Sequence, residues 1–191
     1  MTLRGAVDRT GGTLLFPHAR KTVGATDSAR RRAISRSALM NPIAELLPAT
    51  NVIADLEVGS KSELFAEFGR LFENGSGLKS EQVASSLHAR EKLGSTGLGQ
   101  GIAIPHGRIK GLREARGAFA RLKTPIAFDA PDSRPVSNVF VLLVPEHATE
   151  QHLQLLSELA QMFSEKRFRE ALTTAPDAAA LHELFRRWDG G

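Results

Sequence analysis

The residues with the clearest chemical potential stand in Pro105-His106-Gly107, which closes the apolar run Ile102-Ala103-Ile104. Proline stops a strand and the glycine beyond it leaves room, so the imidazole is predicted at the end of a buried strand, where layered α/β folds gather ligands. An imidazole is neutral near pH 7 and nucleophilic without a serine or thiol partner, so His106 could take a transferred group covalently. Arg90 lies 16 positions upstream and carries a planar fork of donors suited to an oxyanion or phosphate. His152 falls in the first turn of a predicted helix, where backbone N–H groups also favour an anion. Taken alone, Arg90 reads more readily as a solvated helix charge paired with Glu91, and His152 is open to reading as a surface histidine.

Other chemistries fit poorly. The stretch Gly97-Leu98-Gly99-Gln100-Gly101 has glycines like a dinucleotide loop, but that loop follows a strand and opens a helix, whereas this one follows a helix and opens a strand. No Gly-Lys-[Ser/Thr] is present, which excludes a P-loop. The glycines are instead expected to allow close approach and to expose backbone N–H groups around His106. Glu146, His147, Glu150 and His152 cluster potential ligands, but the spacing suits no single helical face and no His-Glu-x-x-His occurs, so no metal and no cofactor are expected. Zero cysteines exclude a thiol nucleophile, a disulfide framework and Cys-ligated metal, and fit a reducing compartment. His18, His88 and His182 lack supporting context, and Trp188 reads as an anchor for the last helix.

The elements that must position these residues follow from the pattern. Residues 51–58 (NVIADLEV) read as a strand, and Ser60-Lys61-Ser62-Glu63 has the spacing of a capping box. Leu64, Phe65, Phe68, Leu71 and Phe72 then mark one face of a helix over 60–74 that Asn74-Gly75 should end. Ser80 is expected to cap a second helix through about Lys92, forming a hairpin with the first and carrying Arg90 near its end. Residues 115–122 and 136–144 read as strands, the second apolar enough to be central. A helix follows from near Thr149, with Leu153, Leu156, Leu159, Ala160 and Phe163 inward, and two short helices over about 165–173 and 177–188 finish the chain. Strands interleaved with helices predict a three-layer α/β/α domain with a mixed central sheet and helices on both faces.

Charge divides the chain. Of 25 Lys and Arg and 21 Asp and Glu in 191 residues, residues 1–39 hold eight basic and two acidic residues. The other 152 residues keep 17 and 19, so the body is mildly acidic and the excess that suggests a nucleic-acid partner lies outside it. Residues 1–39 are expected to be a disordered basic extension preceding a domain over 40–191. Their Arg- and Ser-rich composition also fits an organelle transit peptide, and a start at Met40, where the domain pattern begins abruptly, is the favoured reading. No apolar stretch approaches the roughly 20 residues that cross a bilayer, so no membrane insertion is expected.

The spaced residues Glu91-x6-Leu98-Gly99-Gln100-Gly101-Ile102-Ala103-Ile104-Pro105-His106-Gly107 resemble the phosphorylation-site signature of the type 2 (mannitol, fructose and nitrogen) enzyme IIA proteins of the bacterial phosphoenolpyruvate phosphotransferase system. The resemblance extends from about Asn41 to Trp188, and the runs REKLGSTG and LLVPEHATEQHLQLLSELA are most similar to the nitrogen-regulatory branch. It implies that His106 is the phosphorylated histidine, Arg90 the site arginine and His152 the second active-site histidine. It further implies a histidine-containing phosphocarrier protein as donor, a cytoplasmic location, and regulated protein targets such as potassium transporters or sensor kinases. No nucleic acid is expected as partner because the basic excess lies outside the domain, and a nucleic-acid binder acting through the basic tail is the rival reading. The mechanism implied is in-line transfer between imidazoles without Mg²⁺, assisted by Arg90, His152 and glycine-stretch N–H groups, with one nitrogen of His106 held by a loop carbonyl. A sugar-uptake enzyme IIA that passes the phosphoryl group to a IIB domain, and a non-catalytic interaction domain, are the alternatives.

Overall fold

The computed structural model describes residues 41–147 and 150–190, with Gln151 described in its backbone only; the expectations for residues 1–39 and for a helix start at Thr149 lie outside them. Asn41 opens the first helix, α1 (Pro42–Leu46): its side-chain oxygen accepts from the Ile43 N–H at 2.9 Å, and Pro42 takes a first-turn position where no N–H is needed. Strand β1 is Val52–Leu56, inside the predicted run. Helix α2 (Lys61–Ser76) has Ser60 as its cap, accepting from the Glu63 N–H, while the Glu63 carboxylate reaches back to the Gly59 N–H at 2.7 Å. The helix runs past Asn74-Gly75, because the left-handed position that ends it falls on Gly77, at φ 68°. Ser80 is not the cap of helix α3 (Ser80–Glu91) but its first residue; its N–H is met by the Glu73 carboxylate at 3.4 Å.

The strands form one six-stranded mixed sheet in the order β1-β5-β6-β3-β2, with β4 also on β6. Here β2 is Gly97–Gly99, β3 Ile102–Ala103, β4 His106–Ile109, β5 Arg116–Ile126 and β6 Val136–Pro145. β5 and β6 pair antiparallel, β1 runs parallel to β5, and β3 and β4 run parallel to β6 along its other edge. β6 is therefore central, as its unbroken apolar run predicts. Its alternation divides the core: Phe140, Leu142 and Val144 face one helical layer, and Val139, Val141 and Leu143 face the other.

The second face is covered by α2 and α3 through Leu64, Phe65, Phe68, Phe72, Val83 and Leu87. The first is covered by α1, α4 (Glu150–Ser164), α5 (Lys166–Thr174) and α6 (Ala178–Arg187). Phe119 and Phe140 of the sheet meet Phe185 of α6 with ring centres 4.8 and 5.7 Å apart. Such pairs each add about 0.5–1.5 kcal/mol beyond simple burial. Trp188 does anchor the chain's end: it packs on this core, and its indole N–H donates to Glu165 at 2.7 Å.

One helix is rotated slightly from the predicted face: Leu159 and Phe163 are buried and Leu156 packs on the core as expected, but Leu153 and Ala160 do not. In α4 the inward stripe is His152, Leu155, Leu159, Met162 and Phe163, while Leu153 is 68% exposed and Ala160 lies outside. Leu153 and Leu156 draw the eye as apolar, but starting the 3.6-residue count at His152 satisfies the larger residues further on. A histidine is thereby placed on the core-facing stripe.

Candidate functional site

β3 and β4 are two successive pieces of one broken strand along β6. Ile102 pairs with Asn138 of β6 and His106 with Leu142, and between them Pro105, which has no N–H to give, accepts from the Leu142 N–H at 3.0 Å. His106 is the first residue of β4 rather than the end of the preceding strand. The run His-Gly-Arg-Ile lacks an apolar pattern, so its strand was not predicted. In this register the side chains of His106 and Arg108 lie on the same sheet face as Leu142 and Val144, the face that α4 covers.

Two bonds fix the imidazole. Its Nδ1 lies 3.0 Å from the Ile104 carbonyl, and its Nε2 lies 3.0 Å from Nε of Arg90. A carbonyl only accepts and a guanidinium only donates, so Nδ1 carries the proton and the Nε2 lone pair faces the arginine. Burial lowers the pKa of His106, the Ile104 bond opposes that, and the Arg90 charge lowers it again while Glu91 raises it; the net direction is down. The neutral, Nε2-nucleophilic tautomer is the form present at pH 7.

Arg90 reaches this place because α3 and β4 touch without a side chain between them. A Cβ at Gly107 would lie 2.4 Å from the Ser86 Oγ and 3.1 Å from its Cβ. Ser86, one helical turn before Arg90, donates to the Arg108 carbonyl at 3.0 Å. The far end of Arg90 donates to the Gly94 carbonyl at 2.9 Å. Arg90 is therefore not paired with Glu91, whose carboxylate binds Lys61 and Thr96 instead.

His152 completes the group. Its ring centre is 5.3 Å from that of His106, edge to face; it is 9% exposed, and its Nε2 is buried with no hydrogen-bond partner among the described residues. Burial lowers its pKa, and the charges of His106, Arg108 and Arg90 lower it further. Arg108 is a residue the sequence reading passed over. Its alternation with His106 along a strand would have flagged it had β4 been recognised.

Several N–H groups in and around the glycine stretch are engaged within the protein. The Thr96 N–H goes to Glu91, Gly97 to the Ser95 hydroxyl, Gln100 to Asp132 and Ile104 to the Thr96 carbonyl. These donors hold the loop in shape, and are not available to a ligand. Gly99 and Gly101, at φ 85° and 76°, make the β2–β3 turn. Gly97 lies against Ala130, whose Cβ would be 2.8 Å from any Cβ placed there. His88 stacks edge-on against Phe65, and His182 bonds the Leu47 carbonyl at 2.9 Å; both are structural. Among the described residues no three His, Asp or Glu side chains converge as a metal site would require, and no helix is long and apolar enough to cross a membrane.

A nucleophilic imidazole, a guanidinium on its lone pair and a second buried imidazole with a free nitrogen can together accept a tetrahedral anion on Nε2. Comparison with known proteins agrees with that chemistry. Residues 45–188 match the family described as phosphoenolpyruvate-dependent sugar phosphotransferase system, EIIA 2. The nitrogen regulatory protein of Pseudomonas aeruginosa is 40% identical over 141 residues, covering 73% of this chain and 92% of that one. The crystal structure of nitrogen regulatory protein IIA-Ntr from Neisseria meningitidis is 53% identical, with a TM-score of 0.72 over 75% of this chain and 99% of that one. The fructose-specific EIIABC component of the Bacillus subtilis system is 28% identical over 148 residues, which are 77% of this chain and 23% of that one.

Proposed function

The chain belongs to the EIIA 2 family of the phosphoenolpyruvate-dependent sugar phosphotransferase system, and from that premise we propose that it accepts a phosphoryl group on Nε2 of His106 from a phosphohistidine carrier protein and signals through protein contacts. The observation that carries this reading is the tautomer: the Ile104 carbonyl holds the Nδ1 proton and leaves Nε2 as the nucleophile. In the step, the Nε2 lone pair forms a bond to phosphorus as the carrier's nitrogen–phosphorus bond breaks, and that pair returns to the carrier's imidazole. The same kind of bond is made and broken, so the protein mainly aligns the two rings and stabilises the equatorial oxygens. Arg90 moves its N–H from the nitrogen lone pair to a phosphoryl oxygen, and the unpartnered Nε2 of His152, once protonated, donates to another.

The carrier needs a landing surface, and the exposed apolar residues frame one. Leu93 (84% exposed) follows the helix that bears Arg90, Leu98 (47%) lies in β2, and Leu153 (68%) adjoins His152. Phosphorylation then adds negative charge and acceptors at one partly buried point of the surface, enough to make or block contact with a regulated target in the cytoplasm, such as a potassium transporter or sensor kinase. The similarity to nitrogen regulatory proteins at 40% identity favours regulation. The fructose-specific relative favours a second reading, sugar uptake by transfer to a IIB domain.

The test is phosphorylation of the full chain by phosphoenolpyruvate, enzyme I and the carrier. An acid-labile, base-stable phosphate that is lost in His106→Ala supports the reading, and onward transfer to an added IIB domain separates uptake from regulation. Label on any other residue refutes it, and an unlabelled chain would return the protein to the class of non-catalytic interaction domains.

A further inference from the structure

Glu91 stands beside Arg90 in the chain and makes no contact with His106, yet it is among the most fully engaged carboxylates in the molecule. Its side chain is 8% exposed. One oxygen accepts from Lys61 Nζ at 3.0 Å; the other accepts from the Thr96 N–H at 3.0 Å and the Thr96 hydroxyl at 2.6 Å. Thr96 is itself buried, and its carbonyl takes the Ile104 N–H at 3.0 Å. Ile104 is the residue whose carbonyl holds Nδ1 of His106. A chain of contacts therefore runs from Glu91 through Thr96 to the tautomer of the nucleophile. A second runs around the short loop of residues 92–96, whose Gly94 carbonyl receives the guanidinium of Arg90.

Lys61 secures the other side of the carboxylate. Its ammonium also binds Asp129 at 2.7 Å and lies 4.7 Å from the centre of the Phe128 ring. Burial pulls its pKa down, but the bonds to Asp129 and Glu91 outweigh that and hold it above its ordinary value, so it stays charged. The Ser95 hydroxyl meanwhile donates to the Phe128 carbonyl at 2.6 Å. The loop is thus held from the helix before it and from the segment after β5.

We infer that Glu91 is the positioning residue of the transfer site: by tying Thr96 to the end of α3 it sets both the Arg90 guanidinium on Gly94 and the Ile104 carbonyl beneath His106. This rests on the phosphoryl-accepting reading of the same site. A loop freed by about 1 Å displaces Arg90 from the oxygens it must meet, and misplacement on that scale costs up to roughly 100-fold in rate. Leu93 of the proposed docking surface lies in the same loop, so the carrier concentration needed is free to change as well, and the maximal rate together with the His106 titration reports on the transfer site itself.

The charges that act on His106 make the idea separable from a plain charge effect. Arg90 lowers the imidazole's pKa and Glu91 raises it; the remaining neighbours are His152 and Arg108, which the substitutions leave in place. Removing the Glu91 charge alone would move the His106 titration down. Releasing Arg90 as well would move it up.

The experiment uses the full-length chain as wild type, Glu91→Gln, Thr96→Val and Thr96→Ser. Transfer is followed from the phosphorylated carrier, and the His106 titration by NMR of the unphosphorylated protein. Expected are a maximal rate reduced about tenfold or more in Glu91→Gln and Thr96→Val, an upward shift of the His106 titration in both, and recovery of each in Thr96→Ser. Unchanged transfer in both variants, or a downward titration shift in Glu91→Gln, overturns the inference. An unlabelled wild type instead removes the phosphoryl reading, and the titration arm still decides whether Glu91 positions Arg90.

Discussion

Placing a methyl group at Gly107 tests the contact that brings Arg90 to His106. A Cβ there meets the Ser86 Oγ at 2.4 Å and the Ser86 Cβ at 3.1 Å. The first distance is impossible and the second is tight, so either Ser86 rotates off the Arg108 carbonyl or α3 retreats from β4. Overpacking of this kind costs about 1–3 kcal/mol, partly offset by the roughly 0.5–1 kcal/mol that alanine gains over glycine in a strand. Gly107→Ala is therefore expected to lose about 1–2 kcal/mol. Ser86→Ala deletes the 2.4 Å contact and one hydrogen bond worth about 0.5–1.5 kcal/mol, at the lower end because that bond is exposed. In the double variant the oxygen is gone when the methyl arrives, so its loss should fall short of the summed single losses by about 1 kcal/mol. Urea unfolding followed by fluorescence of Trp188, the single tryptophan, reads these differences directly. Transfer from the carrier should follow the same pattern, reduced in Gly107→Ala and partly restored in the double variant, because α3 carries Arg90 one turn beyond Ser86. Additivity within about 0.5 kcal/mol would show that Ser86 and Gly107 do not oppose each other and would refute the contact argument.

Two further outcomes follow from the site. His106 and His152 both have folded-state pKa values below the ordinary 6.5, so the folded chain binds fewer protons than the unfolded one as pH falls below 6.5. Stability should decline over that window, down to the folded values, and the acid limb of the transfer rate should fall below pH 6.5; a limb centred at or above 6.5 would contradict the buried neutral imidazole. Leu153→Glu puts a charge on the proposed landing surface without touching the core, since Leu153 is 68% exposed. It should raise the KM for the carrier severalfold with the maximal rate and the unfolding midpoint little changed, and an unaltered KM would move the docking surface elsewhere.

The sheet and its two helical layers were legible because long periodic or unbroken apolar runs produce them: β6, α2 and the alternation of Phe140 with Val139 and Val141. Short elements whose existence depends on a neighbour were not. β4 begins His-Gly-Arg and becomes a strand only because β6 offers it a parallel edge. β2 is a strand only through its turn with β3. α1 depends on Asn41 and Pro42, which read more readily as a loop. For the site, motif spacing pointed to His106, Arg90 and His152, and the fold brings these three together. The part played by Glu91, the common face of Arg108 and His106, and the inward turn of His152 were hidden, since each depends on which residues meet across elements distant in sequence.

Asn41 does more than start α1: its amide nitrogen donates to the carbonyls of Phe185 and Trp188, at 2.8 and 3.0 Å, so the first and last turns of the domain are laced to each other. The ends of the folded unit therefore leave from one spot, as do the two leads of a plug. A unit wired in this way can be inserted into a longer polypeptide, or joined to another segment at either end, with little strain passed to the sheet. The lacing sits among α1, α6 and Trp188, whereas the imidazole pair sits between β4 and α4, so attachment and chemistry occupy different elements and can vary independently in evolution.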